Sequence, residues 1–179
     1  MNKKFPVMLT ILLTNWIFSQ DLAQLKLTPA GVEPIVVELG NLNAREIYKK
    51  SLNWVQETYK NPDEVLKANI ESEKIRISGY ANDAWWFKSL GMKQSMDMEY
   101  SVEISFKEGK YRFDYTIGQF YASAGGKVLY NYTSFYKKSG EVRKMYKVSV
   151  TSLELTMNSL SQSFHNYANG KTQEKDDDW

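Results

Sequence analysis

The chain has 179 residues, 42% hydrophobic and 25% charged, enough for the core of one domain plus tails. Its formal charge of +2 includes Lys3 and Lys4 of the N-terminal stretch, so the remainder is near neutral and lacks the clustered basic charge that nucleic-acid binding demands. It contains no cysteine, which excludes disulfides, thiol nucleophiles, cysteine metal sites and a lipid-modified cysteine.

Residues 1–20 read as a secretory signal peptide: two lysines, an apolar run from Phe5 to Phe18, then Ser19-Gln20. The rival is a membrane helix, but that run spans about 21 Å of a hydrocarbon core of about 30 Å. Thr10, Thr14 and Asn15 weaken it further. The expected protein is exported, periplasmic or extracellular, not a lipoprotein, with no transmembrane span after cleavage. Residues 21–34, with Pro29, Gly31 and Pro34, read as a lead-in with little structure.

The expected single domain covers residues 35–168. Ile35–Leu39 is a short strand ended by Gly40. Asn43 and Glu46 have the spacing of a capping box. Ile47, Tyr48, Leu52, Val55 and Tyr59 then form a helical stripe flanked by Trp54, and Asn61-Pro62 stops it. Two alternating runs follow, Leu66–Glu71 and Lys74–Ser78. A two-residue turn at Ser72-Glu73 would set Ile70 opposite Ile75 and Ala68 opposite Ile77, all on one face. Trp85-Trp86-Phe87 then falls in a connection between strands.

From Ser95 to Lys107 the even positions are Met96, Met98, Tyr100, Val102, Ile104 and Phe106, and the odd ones are polar. This alternation marks a strand with one dry face, whose burial contributes on the order of 10 kcal/mol. After a turn at Glu108-Gly109, Tyr111, Phe113, Tyr115 and Ile117 continue that face, and the parity change at Gly118-Gln119 suggests a bulge. Phe106 should sit opposite Tyr111, and Ile104 opposite Phe113. Val128, Tyr130 and Tyr132 alternate like a further strand. From Glu141 to Ala168 the spacing of Tyr146, Val150, Leu153, Met157, Leu160, Phe164 and Tyr167 predicts a long amphipathic helix. Residues 169–179, with Asp176-Asp177-Asp178, read as a disordered acidic tail.

The expected order is strand, helix, four or five antiparallel strands, helix. Both helices cover the dry face, giving a two-layer α+β sandwich. Three stretches resemble a bacterial secreted family, the domain of unknown function 4468, which is described as having a TATA-binding-protein-like fold. They are the helix Arg45–Val55, the extended pair through Ile75–Gly79, and Val102–Phe113. The resemblance covers residues 35 to 117. It implies the fold and no catalytic residue. The outer face, with Asp97, Glu99, Glu103 and Asp114 against Lys67, Lys74, Arg76 and Arg112, does not suit DNA.

No catalytic, cofactor or metal constellation stands out. His165 is the only histidine, and no glycine-flanked serine elbow accompanies it. The outward carboxylates of the alternating strand have the pattern of a solvated face. The aromatics remain: Trp85, Trp86, Phe87, Tyr130 and Tyr132 are either plugs over the core or a ligand or partner patch. The leading reading is a non-enzymatic exported binding or accessory module, a monomer or weak homodimer, for an unidentified envelope or extracellular ligand, with no cofactor. The alternatives are a helix-grip-like carrier of a small hydrophobic ligand and a carboxylate-dependent hydrolase.

Overall fold

A computed structural model describes residues 22–123, 126–129 and 131–170. The expected leader at 1–20, Tyr130 and the tail from 171 lie outside the described residues.

The strands are β1 (Lys26–Thr28), β2 (Gly31–Glu33), β3 (Ile35–Glu38), β4 (Leu66–Ile70), β5 (Lys74–Ser89), β6 (Met92–Lys107) and β7 (Lys110–Ala122). The helices are α1 (Ala44–Thr58), α2 (Pro62–Val65) and α3 (Lys147–Ala168). β3 to β7 form one antiparallel sheet in the order β3-β7-β6-β5-β4. Strand, helix, four strands and helix is the expected core order. The hairpin of β1 and β2 and the short α2 are additions to it.

Each element follows from its residues. Asn43 accepts from the Glu46 N–H at 2.9 Å and Glu46 accepts from the Asn43 N–H at 2.8 Å, so the capping box starts α1. Met96, Met98, Tyr100, Val102, Ile104 and Phe106 are all buried. Phe106 pairs with Tyr111 and Ile104 with Phe113, as the alternation requires. The register shifts where Met98 and Tyr100 face Phe120 and Ile117, which places the bulge at Gly118-Gln119. There Gly118 lies against Glu99: a Cβ would stand 2.8 Å from the Glu99 carbonyl oxygen.

α1 and α3 cover one sheet face. Phe164 packs edge-on to Trp54 and Tyr111, at 5.2 and 4.8 Å between ring centres, and stacks on Phe113 at 6.2 Å. Tyr48 meets Phe106 at 6.0 Å. Trp54 does not flank the helix stripe as expected; it lies in the core, fully buried, with its indole N–H donating to Ser163 at 3.2 Å.

Four further expectations are corrected. Residues 22–34 are ordered: Leu22, Leu25 and Leu27 are buried, and α3 holds the backbone of Leu25 and Leu27. The β4–β5 turn contains three residues, Glu71 to Glu73, with Ser72 at φ 59°. Ile70 therefore pairs with Lys74, not Ile75, and is exposed, while Asn69 faces Ile75. Val128 and Tyr132 are not in a regular strand: Lys127 makes one bridge to Tyr121, and Tyr132–Phe135 is a 3-10 turn. The last helix begins at Lys147, after a 3-10 turn at Lys144–Tyr146.

Candidate functional site

β5 runs without interruption through Trp85-Trp86-Phe87, which is strand and not connection. A bulge between Ala81 and Trp85, with Asp83 at φ 49°, changes which face each residue takes. Trp85 turns inward, fully buried, against Phe120 at 5.0 Å and Phe135 at 5.1 Å between ring centres. Phe87 follows on the same side, half-buried, 5.9 Å from Trp85. Trp86 takes the opposite face, half-buried, with the Lys93 ammonium 5.4 Å from its ring centre.

Tyr132 sits elsewhere. It is half-buried beside Gly31, lining a cleft of about 210 Å³ with Ala30, Val32, Tyr115, Thr116 and Ile117. Of the expected aromatic patch, then, Trp85 is core, Phe87 leans on it, and Trp86 and Tyr132 are on separate surfaces.

The face opposite the helices carries two adjoining grooves. One, of about 450 Å³, is lined by Arg76, Ser101, Glu103, Ser105, Arg112, Asp114 and Thr116. The other, of about 550 Å³, shares Ser101 and Thr116 and reaches Tyr80 and Glu99 on the sheet and Glu64 and Lys67 at its edge. The alternation that buries the even residues of β6 places its hydroxyls and carboxylates here.

The charges in the first groove are paired. Glu103 accepts from Arg76 at 2.6 Å and from Lys74 at 3.3 Å; Arg112 donates to Asp114 at 2.7 Å. Arg112 lies diagonal to Glu103 across the β6–β7 pair, but its bond goes to Asp114. Burial would raise the Glu103 carboxyl, but the hydrogen bonds and charges of Arg76 and Lys74 outweigh it and hold it below the usual glutamate range. The bond to Asp114 keeps the Arg112 guanidinium firmly protonated.

At the far end, Tyr80 donates to Asp97 at 3.0 Å and Tyr121 donates to Glu99 at 2.7 Å, with their rings 5.7 Å apart. Asp97, expected to be solvated, is buried there and also accepts from the Asp83 N–H of the bulge at 2.9 Å. Both phenols hold their protons more tightly than usual: Tyr80 through burial and its bond to Asp97, Tyr121 through its bond to Glu99.

Gly79 brings the interior close to this face. A Cβ there would stand 2.5 Å from the Tyr100 hydroxyl oxygen. Tyr100 bonds Tyr59, hydroxyl to hydroxyl, at 2.9 Å and stacks on Tyr115 at 5.3 Å. Burial raises all three phenols. Among the described residues no group of three or more His, Asp or Glu side chains could hold a metal ion. His165 stands on α3 with Nδ1 3.3 Å from the Tyr111 hydroxyl.

With β3, α1 and the strands from β4 to β7 in place, the family described as "Domain of unknown function (DUF4468) with TBP-like fold" matches residues 35–121. This segment resembles that family. The DUF4468 match begins at β3 and ends within β7, so β1, β2 and α3 flank it. Two crystal structures share the fold. A TBP-like protein from Parabacteroides distasonis has a TM-score of 0.57 at 14% identity, over 76% of this chain and 90% of that one. A DUF4468 family protein from Bacteroides ovatus has a TM-score of 0.54 at 14% identity, over 80% of this chain and 89% of that one. At that identity the likeness speaks for the fold alone. No curated protein matches the chain.

Proposed function

We propose that the protein is an exported, non-catalytic binding module whose uncovered sheet face takes a neutral, hydroxyl-bearing ligand of the glycan class. Export rests on the leader-like residues 1–20; no helix among the described residues is long and apolar enough to cross a membrane.

One observation carries the ligand class. The first groove holds two guanidiniums and two carboxylates, Arg76 and Arg112 with Glu103 and Asp114, each bonded within the face. Those four charges cancel and Lys74 adds one further cation on Glu103, so the groove carries too little net charge to select phosphate or polycation. They remain planar, pre-oriented donors and acceptors beside the hydroxyls of Ser101, Ser105 and Thr116, suited to vicinal sugar hydroxyls. Tyr80, 47% exposed, supplies an aromatic face at the end of the groove system.

The same chemistry disfavours a hydrolase. Glu103 is held ionised, so it is a poor proton donor, and Glu99 is occupied by Tyr121. The packing disfavours a carrier of hydrophobic ligands, because Trp54, Tyr111, Phe113 and Phe164 fill the space between helices and sheet.

A glycan array probed with the protein tests the reading. Binding is expected to fall on neutral glycans and to be lost in Ser101→Trp, which fills the shared part of the grooves. Signals confined to acidic glycans, or unchanged by Ser101→Trp, would refute it.

A further inference from the structure

The longest hairpin, β5 with β6, ends in an unusual tip. Ser89 pairs with Met92, leaving Leu90 and Gly91 as a two-residue turn, and both have positive φ, 50° and 79°. Such turns favour Asn-Gly or Gly-Gly, because a leucine at positive φ is strained. Yet Leu90 is 95% exposed and Met92 61% exposed, so neither gains burial in return. Exposure is unbroken from Lys88 to Gln94.

The surroundings are ordered by distance from the tip. Lys88 and Lys93 face each other across the hairpin directly behind the apolar turn. Behind them lie Trp86 and Phe87, half-buried, with Lys93 over the Trp86 ring. No acidic residue occurs between Ala84 and Met96. At about 3.3 Å per residue, Leu90 stands roughly 7 Å ahead of the Lys88–Lys93 pair, comparable to the headgroup layer of one leaflet, and roughly 13 Å ahead of Trp86.

We propose that this tip is a membrane-docking element that inserts Leu90 and Met92 into the headgroup region of an anionic phospholipid surface. Lys88 and Lys93 then meet the lipid phosphates, and Trp86 rests at the interface where amphipathic rings settle. An apolar tip with a two-lysine collar fits a negatively charged surface with an apolar interior. The strained leucine acquires a purpose that burial within the chain does not give it. This surface is separate from the groove on the sheet face.

Sedimentation of the full chain with phosphatidylglycerol vesicles tests the proposal, with phosphatidylcholine vesicles as comparison. Wild type should partition onto phosphatidylglycerol about tenfold more strongly than onto phosphatidylcholine, a preference that Lys88→Gln/Lys93→Gln removes. Leu90→Asn/Met92→Ser should lower partitioning by about tenfold or more. Its melting temperature should hold or rise, since Asn suits the positive φ. Any contribution of the apolar residues 5–18 is common to both chains. Equal partitioning of wild type and the tip variant overturns the proposal. So does a wild type that stays in the supernatant, which would leave the tip to a protein partner.

Discussion

Asn158 of α3 brackets the backbone of Leu25, 133 residues away: its Oδ1 accepts from the Leu25 N–H at 2.7 Å and its Nδ2 donates to the Leu25 carbonyl at 3.1 Å. One turn earlier, Glu154 accepts from the Leu27 N–H at 3.0 Å. On another flank of the helix, Trp86 donates its backbone N–H to Ser152 at 3.2 Å and Thr156 donates to the Ala84 carbonyl at 2.6 Å. α3 thus holds the lead-in on one side and the free edge of β5 on the other. Its side chains do for both what a neighbouring strand would do.

Asn158→Ala leaves both Leu25 groups without that partner. We expect a loss of about 2 kcal/mol in urea unfolding and faster amide exchange at Leu25. Unchanged exchange at Leu25 would count against the bracket.

Trp85 and Trp86 are neighbours in sequence with opposite surroundings. Trp85→Ala empties a fully buried site and should cost about 3–5 kcal/mol. Trp86→Ala should cost below about 1 kcal/mol. Equal losses for the two would mean the bulge is misplaced.

Gly79→Ala drives a methyl into Tyr100, whose hydroxyl oxygen and ring carbon Cζ stand 2.5 and 2.6 Å from the new Cβ. Both exceed what a small rotation relieves. Destabilisation of about 1–3 kcal/mol is expected by thermal unfolding. Gly91→Ala, with open space around its Cβ, serves as the comparison that reports backbone strain alone.

Stability should fall at both ends of the pH scale, for different residues. Glu103 has a depressed carboxyl in the folded state, so its contribution is full above the unfolded value near 4.5 and is lost as pH falls through the folded value. Glu103→Gln should flatten that acid limb. Burial raises Tyr59, Tyr100, Tyr111 and Tyr115, and pushes Tyr136 up to about 12. Their contribution is full below the unfolded value of 10.0 and declines as pH rises beyond it. Tyrosinate absorbance followed against pH should therefore rise together with unfolding. Gradual ionisation of a chain that stays folded would contradict the burial of these phenols.

The parts of the fold that show in the sequence are those whose cause is local. The period-two pattern of β6 and the Asn43–Glu46 cap each need only a few neighbouring residues to be recognised. The hidden parts depend on one inserted residue or on a distant partner. A third residue in the turn at Ser72 moves Ile70 to the solvent side. The bulge before Trp85 breaks the alternation, so a continuous strand looks like a loop. Leu22, Leu25 and Leu27 look unremarkable until α3, far along the chain, gives them something to pack on. The charge balance of the sheet face is legible from alternation, but the pairing of Arg76 with Glu103 depends on the cross-strand register, and Arg112 turns to Asp114 of its own strand.

The tie between Leu25 and α3 sets a condition on how the chain matures. The first described residues cannot settle until α3 exists, so the closing step joins partners 133 residues apart and should be among the slower ones. A polypeptide threaded through a translocation channel from its N-terminus would keep this joint open until Asn158 emerged. Late closure of that kind would help hold the chain in a passable, uncompacted form during transit.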